Sequence, residues 1–142
     1  MCQILWKRAI PTWADQLRRF RSGPAETAFR LAAKDDRLYV TLGIDAPVSI
    51  LDAVTGQTVA DCKGTEHARQ VLRIDDKLVV LVDTRPQVAE EEDARIRKGL
   101  EPASGARAIV AADPANGKTL WRKEIDVFVH PTLCALGGRV FY

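Results

Sequence analysis

His67 and His130 are the two histidines of the chain, and Cys2, Cys62 and Cys134 are its three cysteines. A zinc site or a nucleophile with its base would have to be built from these side chains, and their spacing offers neither. His67 follows Glu66 and His130 precedes Pro131, and neither stands at metal-ligand spacing from a cysteine. The cysteines form no CxxC and no adjacent pair, and their odd number leaves at least one unpaired. They read as small buried apolar residues. Ser49 and Ser104 lack a G-x-S-x-G setting, and there is no P-loop and no G-x-G-x-x-G. Asp35-Asp36 and Asp75-Asp76 are paired carboxylates, yet each pair stands directly before a basic residue and a leucine, in Arg37-Leu38 and Lys77-Leu78. That recurrence marks them as turns. No catalytic or metal-binding residue is therefore expected, and cofactor-binding residues stay unassigned.

The elements that carry these residues follow from a wider view of the chain. Its 142 residues give room for one ordinary domain, and 46% apolar with 28% charged residues is a globular balance. A formal charge of +2 argues against nucleic-acid binding, which needs a concentrated basic face. The densest apolar run, Leu78 to Val82, is the length of one strand, so no transmembrane segment is expected. Met1 to Trp6 runs straight into Lys7-Arg8, without the layout of a signal peptide.

Two phrases repeat. Ser49 to Val59 matches Val110 to Leu120, with Asp52 and Asp113 61 positions apart, as are Gly56 and Gly117. Asp35 to Val40 matches Asp75 to Val80, and Gly137 to Tyr142 is a third version. From Asp52 to Asp76 is 24 positions and from Asp113 to Gly138 is 25, so the phrases keep step. The order is strand, short acidic or glycine turn, β-branched strand, connection, strand, Asp-x-x-x-Gly turn, strand. In that turn the aspartate accepts hydrogen bonds from backbone N–H groups just downstream, and the glycine supplies a positive φ. Four strands joined this way make one blade of a β-propeller. The spacing predicts an all-β, antiparallel chain of about two complete four-stranded blades plus partial blades at both ends. The expected strands are Ala28–Ala33, Arg37–Gly43, Val48–Leu51 and Thr58–Cys62, then Arg69–Ile74, Lys77–Asp83, Ala108–Ala112 and Thr119–Ile125. Thr132–Leu136 and Arg139–Tyr142 begin a third unit. In residue ranges, 1–142 is a partial propeller: 1–8 the end of a blade, 26–63 a blade, 67–126 a blade with an insertion at 86–105, and 131–142 the start of a blade.

Two stretches interrupt the repeat. Pro11 to Ala25 connects units, and Trp13, Leu17 and Phe20 stand at helical spacing within it. Pro86 to Gly105 places Glu90 to Asp93 ahead of Arg95, Arg97 and Lys98, with Glu91–Arg95 and Asp93–Arg97 at i, i+4. That order suits a helix macrodipole and predicts a short, solvated helical insertion.

Ala111, Asp113, Gly117, Lys118 and Trp121 have the form A-x-D-x-x-x-G-K-x-x-W. This resembles the tryptophan-docking motif of pyrroloquinoline-quinone-type propellers. That family includes quinoprotein alcohol dehydrogenases and also non-enzymatic members, such as a periplasmic lipoprotein that helps assemble outer-membrane β-barrels. The resemblance implies that Trp121 anchors one blade to its neighbour and that Gly117 turns the chain. It gives Trp6 the anchor position of the preceding partial blade and Asp52 and Gly56 the turn of the first complete one. There the pattern departs, because the anchor position is Ala60 and the lysine position is Gln57, so looser docking is expected.

The family's enzymes hold quinone and calcium, commonly with a disulfide between adjacent cysteines. This chain has no such pair, and no calcium ligand or catalytic aspartate maps onto it. The leading expectation is therefore a non-catalytic propeller segment with a scaffold or binding role in a larger protein. Its partners would be the remaining blades and a protein partner, with a periplasmic or exported location by resemblance. The alternative is a fragment of a PQQ-dependent quinoprotein oxidoreductase whose catalytic residues lie elsewhere. A third possibility is another antiparallel fold whose repeats only mimic blades. An unclosed set of blades would leave apolar faces open to association.

Overall fold

The computed structural model describes residues 3–10, 29–84, 97–99, 107–125 and 133–142. Ten strands run through them, all joined antiparallel. β1 (Leu31–Lys34), β2 (Arg37–Thr41), β3 (Val48–Asp52) and β4 (Thr58–Cys62) form one four-stranded sheet in chain order. β5 (Ala68–Ile74), β6 (Lys77–Asp83), β7 (Arg107–Ala112) and β8 (Thr119–Ile125) form a second in the same order. β9 (Cys134–Leu136) and β10 (Arg139–Phe141) pair as a third, two-stranded sheet. Nine of these strands match the sequence expectation to within two residues; β1 begins at Leu31, three residues after the expected Ala28, and residues 3–10, expected to close a blade, pair in no sheet. β2 stops at Thr41 instead of Gly43, because the chain bends over residues 42–46. There the guanidinium of Arg30 donates to the carbonyl of Ile44 at 2.8 Å.

Aspartate pairs make the short hairpins, as their repeated context implies. Lys34 pairs with Arg37 and Ile74 with Lys77, leaving two-residue loops. Asp35 and Asp75 take positive φ, 53° and 45°. Aspartate is among the few non-glycine residues that enter this region readily. The side chain of Arg73 donates to the carbonyls of Ile74 and Lys77, closing around the second loop.

The second sheet is the middle layer. Along β6 and β7, Leu78, Val80, Val82, Val110 and Ala112 pack toward Tyr39, Val48 and Ile50 of the first sheet. Their neighbours Val79, Leu81 and Ile109 pack on the other side, with Leu133 and Val140 of the third. Side chains alternate across a strand, so both faces of β6 must be apolar when sheets cover both. β6 and β7 are accordingly buried along nearly their whole length. Burying each such aliphatic side chain contributes about 1.5–3 kcal/mol. β8, the outermost strand, is exposed except at Ile125.

The helical insertion expected at 86–105 lies outside the described residues except for residues 97–99, of which Arg97 is helical and Lys98 and Gly99 form a turn, too short a stretch to make a helix. The connection from Pro11 to Ala25, with Trp13, Leu17 and Phe20, lies outside them entirely, as do Cys2 and His130. Among the described residues no helix is long and apolar enough to cross a membrane.

Candidate functional site: the docking turns

The two Asp-x-x-x-Gly segments fold alike. Asp52 Oδ1 accepts from the backbone N–H of Val54 (3.1 Å) and Thr55 (2.9 Å) and from the Thr55 hydroxyl (3.0 Å). Asp113 Oδ1 accepts from Ala115 N–H at 2.8 Å, and its Oδ2 from the Asn116 amide at 2.8 Å. In both turns the glycine N–H donates to the aspartate carbonyl at 2.8 Å. Asp52 N–H donates to the Gln57 carbonyl, and Asp113 N–H to that of Lys118. Gly56 and Gly117 hold φ of 72° and 74°. Even the register shift in the ladder recurs, between Ile50 and Leu51 and between Ala111 and Ala112.

The Thr55 hydrogen bonds hold the Asp52 carboxyl below the ordinary aspartate range, with Val54 N–H and the charge of Arg37 acting in the same direction. Arg37 Nη1 lies 3.1 Å from Asp52 Oδ2, tying the start of β2 to the turn.

What lies on each turn differs. The indole of Trp6 covers the first: its Nε1–H donates to the Ala53 carbonyl at 2.9 Å, and a Cβ built on Gly56 would fall 2.6 Å from the ring. Arg8 adds hydrogen bonds to the Gly56 carbonyl and the Thr58 hydroxyl, both 3.0 Å. Among the described residues no indole lies on the second turn, and β4 carries Ala60 where tryptophan stands in residues 3–8 and in β8. Gly117 lies instead directly on the β4 backbone, where a Cβ would be 2.8 Å from the Asp61 carbonyl oxygen. The Thr119 hydroxyl donates to the Lys63 carbonyl at 3.1 Å. The seam between the two complete sheets is thus closed by backbone approach.

The remaining motif residues fall in place around these turns. Ala111 is fully buried in β7 opposite Trp121, and Lys118 is exposed just past the turn. Trp121 is 39% exposed on β8.

Three features gave no signal in the repeat. Asp83, with a fully buried carboxylate, binds Arg69 at 3.0 Å and Arg107 at 2.5 Å, locking the ends of β5, β6 and β7 together. Gln70 places both ends of its amide on the backbone of Leu133, each at 3.0 Å, joining the second sheet to the third. Buried Thr65 accepts from Val48 N–H and donates to the Cys62 carbonyl. Arg8 was partly legible, since Trp6-Lys7-Arg8 parallels Trp121-Arg122-Lys123.

The side chains capable of chemistry are dispersed. Ser49 is buried and donates to Asp61 Oδ1 at 2.6 Å, with no histidine in its hydrogen bond. His67 Nδ1 lies 3.0 Å from Asp45 Oδ1. Burial, reinforced by the charges of Asp61 and Asp113, pushes the Cys62 thiol up to about 12, which suppresses the nucleophilic thiolate. Among the described residues no group of three or more His, Cys, Asp or Glu side chains gathers as a metal site. No family model matches the chain, and no curated protein matches it.

Proposed function

We propose that this chain is a run of β-propeller blades of the quinoprotein-like repeat class, and that it serves as a non-catalytic scaffold or binding segment within a larger protein. The observation that carries the reading is the recurrence, 61 positions apart, of one hairpin whose aspartate accepts from the N–H two residues on, with the same glycine conformation and the same ladder irregularity. Face-to-face packing of successive sheets in chain order supports it. So does an indole set on the turn of the following sheet. Stacked sheets of this kind cover one another's apolar faces, and radial repetition is the arrangement that leaves only short edges. The preserved residues serve turning and docking, and function then belongs to the loops that the stack holds in place.

The test is made on the protein in its native context. Affinity capture is expected to recover a discrete partner, and Trp6→Ala to weaken that recovery by loosening the stack. Dye reduction with alcohols or sugars, after addition of pyrroloquinoline quinone and Ca²⁺, is expected to stay at background. Turnover under those conditions would replace this reading with a quinoprotein oxidoreductase, and capture of no partner would remove the scaffold role.

A further inference from the structure

We propose that Asn116 is a latent modification site: its side-chain amide closes on the Gly117 nitrogen with loss of ammonia, and the docked turn withholds that step until the seam between the two complete sheets opens. The proposal stands on the geometry of this turn and seam. It goes beyond the scaffold reading and does not depend on it.

Asn116 is the one asparagine of the chain, and glycine follows it. Asparagine is among the chemically labile residues. Its amide carbon is one ring closure away from the nitrogen of the next residue, and a glycine there has no side chain to hinder the approach. The Gly117 nitrogen gives up its proton and bonds to Asn116 Cγ. The Cγ–Nδ2 bond breaks, and the amide nitrogen leaves with that proton as ammonia. Water then opens the cyclic imide at either carbonyl, giving aspartate or isoaspartate.

In the docked turn the electrophile is open and the nucleophile is not. Asn116 is exposed, and the Lys118 N–H, 2.8 Å from its Oδ1, draws electrons from the amide carbon. Gly117 is buried, and its N–H donates to the Asp113 carbonyl at 2.8 Å. Removing that proton would set an anion against a carbonyl oxygen. It would also lie near the Asp113 carboxylate, whose Oδ2 holds Asn116 Nδ2 at 2.8 Å. Like charges so close disfavour ionisation. Nor has Gly117 room to turn, since a Cβ on it would already lie 2.8 Å from the Asp61 carbonyl oxygen of β4. Undocking from β4 removes these restraints.

The products act on the same seam. Aspartate at position 116 replaces a donor to Asp113 Oδ2 with a second carboxylate. Isoaspartate adds a methylene to the main chain beside Gly117, where the β4 backbone leaves no room for it. Either product opposes redocking, so a chain whose seam has opened is marked and kept from closing. The equivalent turn of the first sheet is not marked this way. There Thr55 precedes Gly56, its hydroxyl donates to Asp52 Oδ1 at 3.0 Å, and it has no amide to lose.

The full chain is incubated at mildly alkaline pH, native and across a guanidinium series. The tryptic fragment 108–118 is then scored by mass spectrometry for aspartate and isoaspartate, and a synthetic peptide of residues 108–122 gives the rate without a fold. The native chain is expected to convert at least about tenfold more slowly than the peptide, and to reach the peptide rate as the seam opens. Leu78→Ala, which truncates a side chain packed between the two complete sheets, is expected to raise the rate without denaturant. Equal rates in the native chain and the peptide would overturn the proposal, as would an unfolded chain converting no faster than the native one. The effect on redocking is read separately. Chains held unfolded at alkaline pH for increasing times are returned to native conditions, and alkylation of Cys62 counts those that fail to close. That fraction is expected to follow conversion in the unaltered chain and to stay constant in Asn116→Thr, which takes the residue of the first turn. Growth at the same pace in both chains would overturn the marking role.

Discussion

Gly56 and Gly117 share a conformation but not a neighbour, and the difference decides what a methyl group would do at each. At Gly117 an added Cβ meets the backbone oxygen of Asp61 at 2.8 Å, and φ is 74°. Backbone cannot swing aside, so Gly117→Ala is expected to destabilise the fold by about 1–3 kcal/mol, read from chemical unfolding. At Gly56 the neighbour is the Trp6 ring, on a segment that joins no ladder. Gly56→Ala is expected to expel the indole and red-shift its fluorescence while costing less stability than Gly117→Ala. The aspartate of the same turn adds a dependence on pH. Its carboxyl is lowered by the Thr55 hydrogen bonds, so the folded form holds its proton more weakly than the unfolded chain does. The stabilisation is complete above the unfolded pKa of about 3.9 and drains away as pH falls through the lower folded value. Thermal midpoints measured across that acid range are expected to fall less steeply in Asp52→Asn than in the unaltered chain.

At the level of strands and turns, nearly all of the described architecture was legible in the sequence. Asp-Asp, Gly-Gly and Asp-x-x-x-Gly mark the turns β1–β2, β3–β4, β5–β6, β7–β8 and β9–β10, because turn chemistry is local and each residue type has a reason to be there. The ladder irregularity at Ile50 and Ala111 was not legible, since it arises from how the Asp-capped turn re-enters the sheet. Nor was the Arg69–Asp83–Arg107 cluster. Its members lie at the ends of three strands, one of them across the long insertion, and nothing in their spacing joins them. Asp83→Ala removes the carboxylate that two guanidinium groups face at the sheet end. Loss of a buried partner is expected to cost about 3 kcal/mol, the low end of the usual range because both arginines keep some solvent contact. Cys62, at the end of β4, offers a probe of the same packing. With its thiol pushed up to about 12 and its side chain buried, it is expected to resist alkylation until the sheets separate. Cys134 on β9 is exposed and is expected to label in the native state. Mass spectrometry of cysteine-labelled peptides checks both.

The layering of the whole molecule is the level least legible in the sequence. In Leu78 to Val82 every residue is apolar, so alternation is invisible and the run alone does not say which side chain faces which neighbour. Packing divides it cleanly: Leu78 belongs to the layer shared with the first sheet and Leu81 to the layer shared with the third. Two truncations of the same size should therefore have different reach. Each Leu→Ala removes a fully buried side chain and is expected to cost about 2–5 kcal/mol. Leu78→Ala opens the seam in which Gly117 lies on β4, so amide exchange should rise in the first sheet, β3 above all. Leu81→Ala opens the opposite layer, where the two-stranded third sheet is held by Leu133, Val140 and the Gln70 amide. Residues 134–141 should then lose protection while the seam between the complete sheets keeps its own. Hydrogen exchange on the two variants measures this directly. Equal loosening of both layers by either truncation would mean that the sheets unfold as one block, and the stack would have to be treated as a single core.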